Sequence, residues 1–392
     1  MLGKRSLPRY VTAGLVVMGS CAVMLVLAAC GSSSSTGSGT SSSAQGAASS
    51  TTAAGAGGGI AAAKALVARY GKSQPAFTIK PLPKRPPTGL TVGVLDCTIP
   101  TCAPGVSAPA IAKLGWKYVS APWDIAQGPS AVSQAFTTLL QKKPNFILMQ
   151  GVFPDSIFAK QFAAAKAAHI PVVQTGSGEF SDAKYLLTCS LCEQNLIFGG
   201  KLEGAETLAN AGGKTAVAYA VDPTITGAVD LENGAKAYIA ANGDGSTFTP
   251  VDTPVSDTPQ QDAAILLSAI QRNPDIKYVL TSYSEAISVL PQALQGAGLA
   301  GKVKLIETVP DSTDLQFIRQ GTEVAAVDEE QTAAAYRAVD GLARQAVGAP
   351  IVKFPLGWHR IITAADLSGN TSDVVPQPPG FAQAFYRAWH VN

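Results

Sequence analysis

Charge is scarce in this chain: 14% of its 392 residues are Asp, Glu, Lys or Arg, and the formal net charge is only +2. The near-balance of 29 basic against 27 acidic residues leaves no electropositive field for a nucleic-acid backbone. Histidine is scarcer still. His169, His359 and His390 are scattered, and no pair has the spacing of a metal site. Six cysteines are too few to replace a hydrophobic core, which excludes a disulfide-dense miniprotein. No nucleophile elbow occurs, and spacing defines no Ser/His/acid set. Gly212-Gly213-Lys214-Thr215 imitates the end of a P-loop, but Leu208 stands at the leading glycine position and a strand pattern follows. Glu329 and Glu330 are adjacent, so on a strand they point to opposite faces and make no acid–base dyad. Together these absences predict neither an enzyme nor a cofactor or metal.

The chain does carry an address. Lys4, Arg5 and Arg9 precede an uncharged apolar stretch from Val11 to Ala29, which ends in Leu27-Ala28-Ala29-Cys30. That is the layout of a secretory signal peptide. The tetrapeptide resembles the lipobox of bacterial lipoproteins, which implies that Cys30 is lipidated and becomes the first mature residue. An uncleaved membrane anchor is the alternative; either places the remainder outside the cytoplasmic membrane. Without the first three basic residues the balance becomes 26 against 27, so the exported chain is slightly acidic. From Gly31 to Gly59 only Gly, Ser, Thr, Ala and Gln occur. Such a stretch cannot bury enough surface to offset its ordering entropy, and it reads as a flexible tether. Ile60 to Tyr70 suits a short helix, and five prolines between Pro75 and Pro87 form a stiffer lead-in.

Beyond the tether, strand and helix patterns alternate. Short β-branched runs at Thr91–Leu95, Lys117–Val119, Phe146–Met149 and Pro171–Val173 are separated by helical periodicity. Val132, Ala135, Phe136, Leu139 and Leu140 mark one helix; Ile157, Phe158, Phe162 and Ala165 mark the next. A second round follows Gly199, with helices at 202–208, 229–240 and 263–270 and strands at 215–220 and 277–280. Gln141-Lys142-Lys143-Pro144-Asn145 and Gln271-Arg272-Asn273-Pro274-Asp275 each close a helix before a strand, 130 residues apart. The repeated order predicts two similar α/β lobes with parallel sheets. Pro291 breaks the helical pattern of 285–297, so that helix must start late or kink.

The punctuation resembles the type I periplasmic binding proteins, in particular sugar-type solute-binding lipoproteins of ABC importers. It rests on Gly115-Trp116, Pro144, Ala297-Gly298, Ile318-Arg319-Gln320-Gly321 and Val339-Asp340-Gly341-Leu342. Asp96-Cys97-Thr98-Ile99-Pro100-Thr101-Cys102 resembles a cysteine-pair variant of actinobacterial members. The resemblance implies two Rossmann-like lobes joined by a three-segment hinge. The first would comprise 89–186 and 332–350, the second 187–331 and 351–392, after a signal peptide at 1–29 and a lipidated tether at 30–88. It also implies a monomer that captures a small-molecule solute by lobe closure and delivers it to an ABC permease. A ligand sensor for a membrane receptor is the second expectation.

Strand ends carry ligands in open parallel sheets. The candidate binding residues are therefore Asp96, Thr98, Trp123, Asp124, Gln150, Phe153 and Ser177 in the first lobe, and Asp222, Tyr283, Ser284, Glu307 and Glu329 in the second. Aromatic faces beside polar groups suit a small polar organic molecule. The chain departs from the sugar-binding pattern where relatives carry an Asp-Arg pair (here Gly176-Ser177), an Arg (Leu231), an Asn-Asp pair (Tyr283-Ser284) and a Gln (Glu329). Losing both arginines removes the forks that satisfy hydroxyls bidentately, which favours a less hydroxylated, neutral or cationic ligand. Cys97, Cys102, Cys189 and Cys192 remain for the exported body; an even number outside the cell reads as disulfides, with three connectivities open and the local pairs simplest. Cys189-Ser190-Leu191-Cys192 also has the spacing of a thiol–disulfide oxidoreductase motif, but no thioredoxin-sized pattern surrounds it.

Overall fold

The computed structural model describes residues 58–72, 78–176, 185–329, 331–353, 355, 357–372 and 374–391; Cys30 and Ser177 lie outside the described residues. A first sheet holds β1 (Thr91–Cys97), β2 (Lys117–Trp123), β3 (Phe146–Gly151), β4 (Val172–Gly176) and β5 (Leu186–Ser190) in the order β2-β1-β3-β4-β5, all parallel. The second holds β6 (Ala216–Val221), β7 (Thr247–Asp252), β8 (Ile276–Thr281), β9 (Lys304–Thr308), β10 (Glu323–Asp328) and β11 (Arg360–Thr363) in the order β11-β10-β9-β8-β6-β7. Only β11 runs antiparallel. Read from its far edge, the second sheet repeats the first: β7-β6-β8-β9-β10 matches β2-β1-β3-β4-β5.

Central strands are buried along their whole length in β3 and β6, because helices cover both faces. In the first lobe α3 (Pro129–Gln141) and α4 (Ala159–Ala167) pack Phe136, Leu139 and Phe162 on one face. On the other, α2 (Ala108–Lys113) and α10 (Gln331–Val347) bury Ile111, Val339 and Leu342. In the second lobe α5 (Glu193–Ala211) and α6 (Thr226–Asn242) cover one face, with α7 (Pro259–Arg272) and α8 (Leu290–Gly296) on the other. Helix α9 (Ser312–Gln320) buries Leu315 and Ile318 against the β10 side. Pro291 sits in the first turn of α8, so the helix starts late; proline there removes an N–H with no intrahelical partner to lose.

Three segments cross between the lobes inside the body: Leu191–Cys192, the residues after Asp328, and the stretch from Gly348 to His359. Both ends add crossings. Helix α1 (Gly58–Tyr70) packs on α5 and α6 of the second lobe, with Leu66, Val67 and Tyr70 against its core. Leu82, by contrast, is buried in the first lobe, and the Lys80 carbonyl accepts from Arg344 of α10 at 2.6 Å. The boundaries read from sequence shift accordingly. A division at 186/187 cuts through β5, and the tail does not belong wholly to the second lobe. Its helix α11 (Phe381–Ala388) packs on α10, where Tyr336, Phe385 and Trp389 form one aromatic cluster. Trp389 Nε1 donates to Asp340 at 2.8 Å and satisfies the indole there.

Candidate functional site

The carboxyl ends of both sheets face a cavity of about 130 Å³. The first lobe contributes the loop after β1 (Ile99, Thr101, Cys102), the end of β3 (Gln150, Gly151, Val152), the end of β4 (Thr175, Gly176) and Ile125. The second contributes Ile225 and Leu231 around α6, Val255 after β7, Ser282 and Tyr283 after β8, Val309 after β9 and Glu329 after β10. Gly176 has φ +94, and a Cβ there would lie 2.6 Å from the Gly151 carbonyl oxygen. Only glycine lets β4 end so close to β3. Val309 has φ +63, a rare conformation for a β-branched residue, stabilised by donation from its N–H to the Val327 carbonyl at 3.0 Å.

Hydrogen bonds cross the cleft. Thr101 gives its N–H and its hydroxyl to Glu285 at 3.3 and 2.6 Å, while Gln331 of α10, in the same lobe as Thr101, steadies it by donating to its carbonyl at 2.7 Å. The Thr226 N–H donates to the Val152 carbonyl at 3.1 Å. The lobes are therefore latched over the cavity. Thr101 stands in the small loop closed by Cys97 and Cys102, whose Cα atoms are 5.7 Å apart. Gln150 fixes that loop, accepting from the Cys97 N–H at 3.0 Å and donating to the Cys102 carbonyl at 2.8 Å. The second pair, Cys189 and Cys192, has a Cα separation of 6.0 Å and sits buried at the first crossing, with Cys192 opening α5.

Glu329 is the most unusual group in the lining. It is 1% exposed, and its Oε1 has no hydrogen-bond partner. Burial, followed by repulsion from Asp328, pushes its pKa up to about 8. His359 Nε2 lies 3.9 Å from that oxygen, a distance that alone suggests an ion pair. The chemistry argues otherwise. His359 Nε2 is 2.9 Å from the Asn195 carbonyl, which can only accept, so its proton points there; burial meanwhile lowers the histidine pKa to about 4. Both groups are neutral near pH 7. Gly199 makes room for the carboxyl: a Cβ at 199 would lie 2.1 Å from Oε1.

Of the residues expected at the site, Gln150, Tyr283 and Glu329 line the cavity. Ser177 lies outside the described residues, and the others lie elsewhere. Asp96 is buried in the first lobe, accepting from the hydroxyls of Tyr118 and Ser120 and from the Gly105 N–H. Thr98, Trp123 and Asp124 line a surface depression beside α3, and Asp124 caps the following turn through the Ala126 N–H. Phe153 packs against Trp123 in the core, ring centres 6.1 Å apart. Asp222 is occupied by its own loop, accepting from Thr224 and from the Val255 N–H. Ser284 lies between Glu307 and Asp314, at 3.2 and 2.8 Å, away from the cavity. The expected aromatic platform is thus absent among the described residues: Tyr283 is the one ring in the lining.

Sequence reasoning missed Thr101, Val152, Ile225, Ser282 and Val309. Each follows a strand by one to a few residues; Val152, Ile225 and Val309 look like core, and nothing in the sequence marks Thr101 and Ser282 off from other small hydroxyl residues at strand ends. The comparison with the sugar-binding pattern did better than the strand-end rule. Of the positions where the chain departs from that pattern, Gly176, Leu231, Tyr283 and Glu329 line the cavity, Ser284 does not, and Ser177 lies outside the described residues.

A family profile described as "Periplasmic binding protein domain" matches residues 109–350. No curated protein matches the chain. Among solved structures, a 5-methylthioribose transporter solute-binding protein from Thermotoga lettingae is 15% identical; the match covers 78% of this chain and 99% of that one, with a TM-score of 0.64. An ABC transporter solute-binding protein from Agrobacterium vitis with bound D-fucose is 17% identical over 72% of this chain and 98% of that one, at a TM-score of 0.63. A putative LacI transcriptional regulator from Bacteroides fragilis reaches the same TM-score of 0.63 at 11% identity, covering 72% and 99%. At these identities the structures speak for the fold. With two equivalent lobes, a cavity between their strand ends and a profile that spans most of both, the chain belongs to the periplasmic binding protein family and has its type I fold.

Proposed function

We propose that this protein is a lipid-anchored solute receptor of an ABC importer. Held at the outer face of the membrane through Cys30, it would capture a small organic molecule between its lobes and present the closed form to a permease. The observation that carries this reading is the latched cavity: Thr101 of the first lobe is bonded to Glu285 of the second, and the Thr226 N–H of the second to the Val152 carbonyl of the first. Ligand contacts from both sheets would add to those bonds and shift the open–closed population. The signal-like start and the charge-free stretch to Gly59 support export and tethering. Among the described residues no helix is long and apolar enough to cross a membrane.

The exported compartment would keep both cysteine pairs oxidised. The oxidoreductase reading fares poorly, because Cys189 and Cys192 are 0% and 3% exposed and a catalytic pair must meet its substrate. Cross-linking the full chain in its native membrane tests the importer reading directly. An ABC permease among the cross-linked products is expected. A receptor kinase in its place would turn the reading to the sensor, and a chain with Cys30→Ser that stays on the membrane would overturn the lipid anchor.

A further inference from the structure

The cavity's polar capacity is almost fully committed to the protein itself. Gln150 uses both ends of its amide on the loop after β1, and Thr101 gives its hydroxyl to Glu285. Gln331 is held by the Thr101 carbonyl, and Tyr283 donates its hydroxyl to the Thr253 carbonyl. Among the described residues two lining groups remain buried without partners, Glu329 Oε1 and Ser282 Oγ. Thr175 adds one more hydroxyl to the wall. The rest is aliphatic: Ile99, Ile125, Val152, Ile225, Leu231 and Val309 close in from both lobes. Among the described residues no Lys, Arg, His or Asp lines the space.

A hexose brings five hydroxyls, each a donor and an acceptor, and each loses binding energy when it leaves water unpaired. Three polar groups cannot satisfy that number. A hydrocarbon body, by contrast, gains from every contact with this wall. We infer that the ligand is a small, uncharged, mainly hydrocarbon molecule with a single oxygen head group, a carbonyl or hydroxyl, seated against Glu329 and Ser282. The inference rests on the solute-capture reading and narrows its substrate class.

Glu329 acts as a donor here. Among the described residues the titratable groups around it are Asp328 beside it, Glu203 on α5, Tyr219 on β6 and His359, and none offers a positive charge at neutral pH. The carboxyl therefore holds its proton, and a protonated carboxyl can donate to a carbonyl or hydroxyl oxygen. An ammonium head is disfavoured because it would have to be desolvated and to ionise Glu329 at the same time.

Isothermal titration of the purified full chain with cyclohexanone, cyclohexanol, cyclohexylamine, D-fucose and D-arabinose tests this. Near pH 6 the ketone and the alcohol should bind about tenfold or more tightly than the amine and the two sugars. Cyclohexanone only accepts, so its affinity should fall about tenfold between roughly pH 6 and pH 9 as Glu329 loses its proton. In Glu329→Gln, whose amide donates at every pH, that decline should vanish. A sugar or the amine binding more tightly than the ketone overturns the inference, and so does the absence of any binding by ketone and alcohol. A ketone affinity flat with pH in the wild-type chain removes Glu329 as the donor. The rank order and the wild-type pH profile need no variant, so a misfolded substitution leaves the test intact. A sugar-preferring result would leave solute capture standing, while the importer reading falls only on its cross-linking partner.

Discussion

Asp96 and Glu329 are both buried carboxyls at strand ends, yet they do opposite things. Asp96 accepts three donors from its own lobe, two from β2 and one from the following loop, which fixes the exit from β1. Glu329 has one oxygen without any donor and faces the cavity. Nothing in the sequence separates them, because partner supply is decided by residues distant in the chain, such as Tyr118 and Ser120. The distinction is measurable. Asp96→Ala removes a buried acceptor that holds three donors and should cost about 2–3 kcal/mol of stability, at about 1 kcal/mol for each hydrogen bond lost. Asp124→Ala removes an exposed turn cap and should cost less than about 1 kcal/mol. Urea denaturation of the two variants decides it, and equal losses would overturn the structural role assigned to Asp96.

At the scale of elements, much of the fold was legible and the reasons are physical. Strands such as Phe146–Gly151 and Ala216–Val221 are buried on both faces and announce themselves as unbroken apolar runs. The paired Gln-x-x-Pro punctuation falls before β3 and β8, equivalent strands in the two sheets. Strands less visible in sequence lie nearer the margins: β7 contains Pro250, tolerated because it forms an edge, and β11 is four residues long. Helix α5 was seen only in part, since Gly199, Gly200 and Gly204 mask its periodicity. Those glycines serve a close helix pair. A Cβ at Gly200 would lie 1.8 Å from the Leu231 carbonyl of α6, and one at Gly234 would lie 2.0 Å from the Ile197 carbonyl of α5. Gly200→Ala should therefore destabilise by about 3 kcal/mol or more, as overpacking against backbone does. Gly213, with nothing within 4 Å of its would-be Cβ, is the control, and Gly213→Ala should be near neutral. Matched thermal melts of the two would refute the close-packing account if they shifted alike.

The two lobes share a strand order but not an electrostatic character, and the difference governs the whole molecule's response to pH. The second lobe buries Glu203, Glu307, Asp314 and Glu323 as well as Glu329. Desolvation raises the pKa of each, with Asp314 held at about 6 and Glu329 at about 8; Glu203, Glu307 and Glu323 are pushed well above the usual range. Ser284 bridges Glu307 and Asp314, an arrangement that a shared proton stabilises and full ionisation would break. In the unfolded chain these carboxyls release their protons near pH 4. Across the window from about pH 4 to pH 8 the native state therefore binds more protons than the unfolded one. Stability from this source is complete at the acid end and is lost as pH rises through the folded values. Calorimetric melting should thus show Tm falling between about pH 6 and pH 9, contrary to a protein whose carboxylates are held by salt bridges. Glu307→Gln, which keeps the shape of the protonated acid, should flatten the decline. A Tm that is level or rises over that range would mean that these carboxyls are ionised in the folded lobe. The neutral cavity lining around Glu329 would then be lost with them.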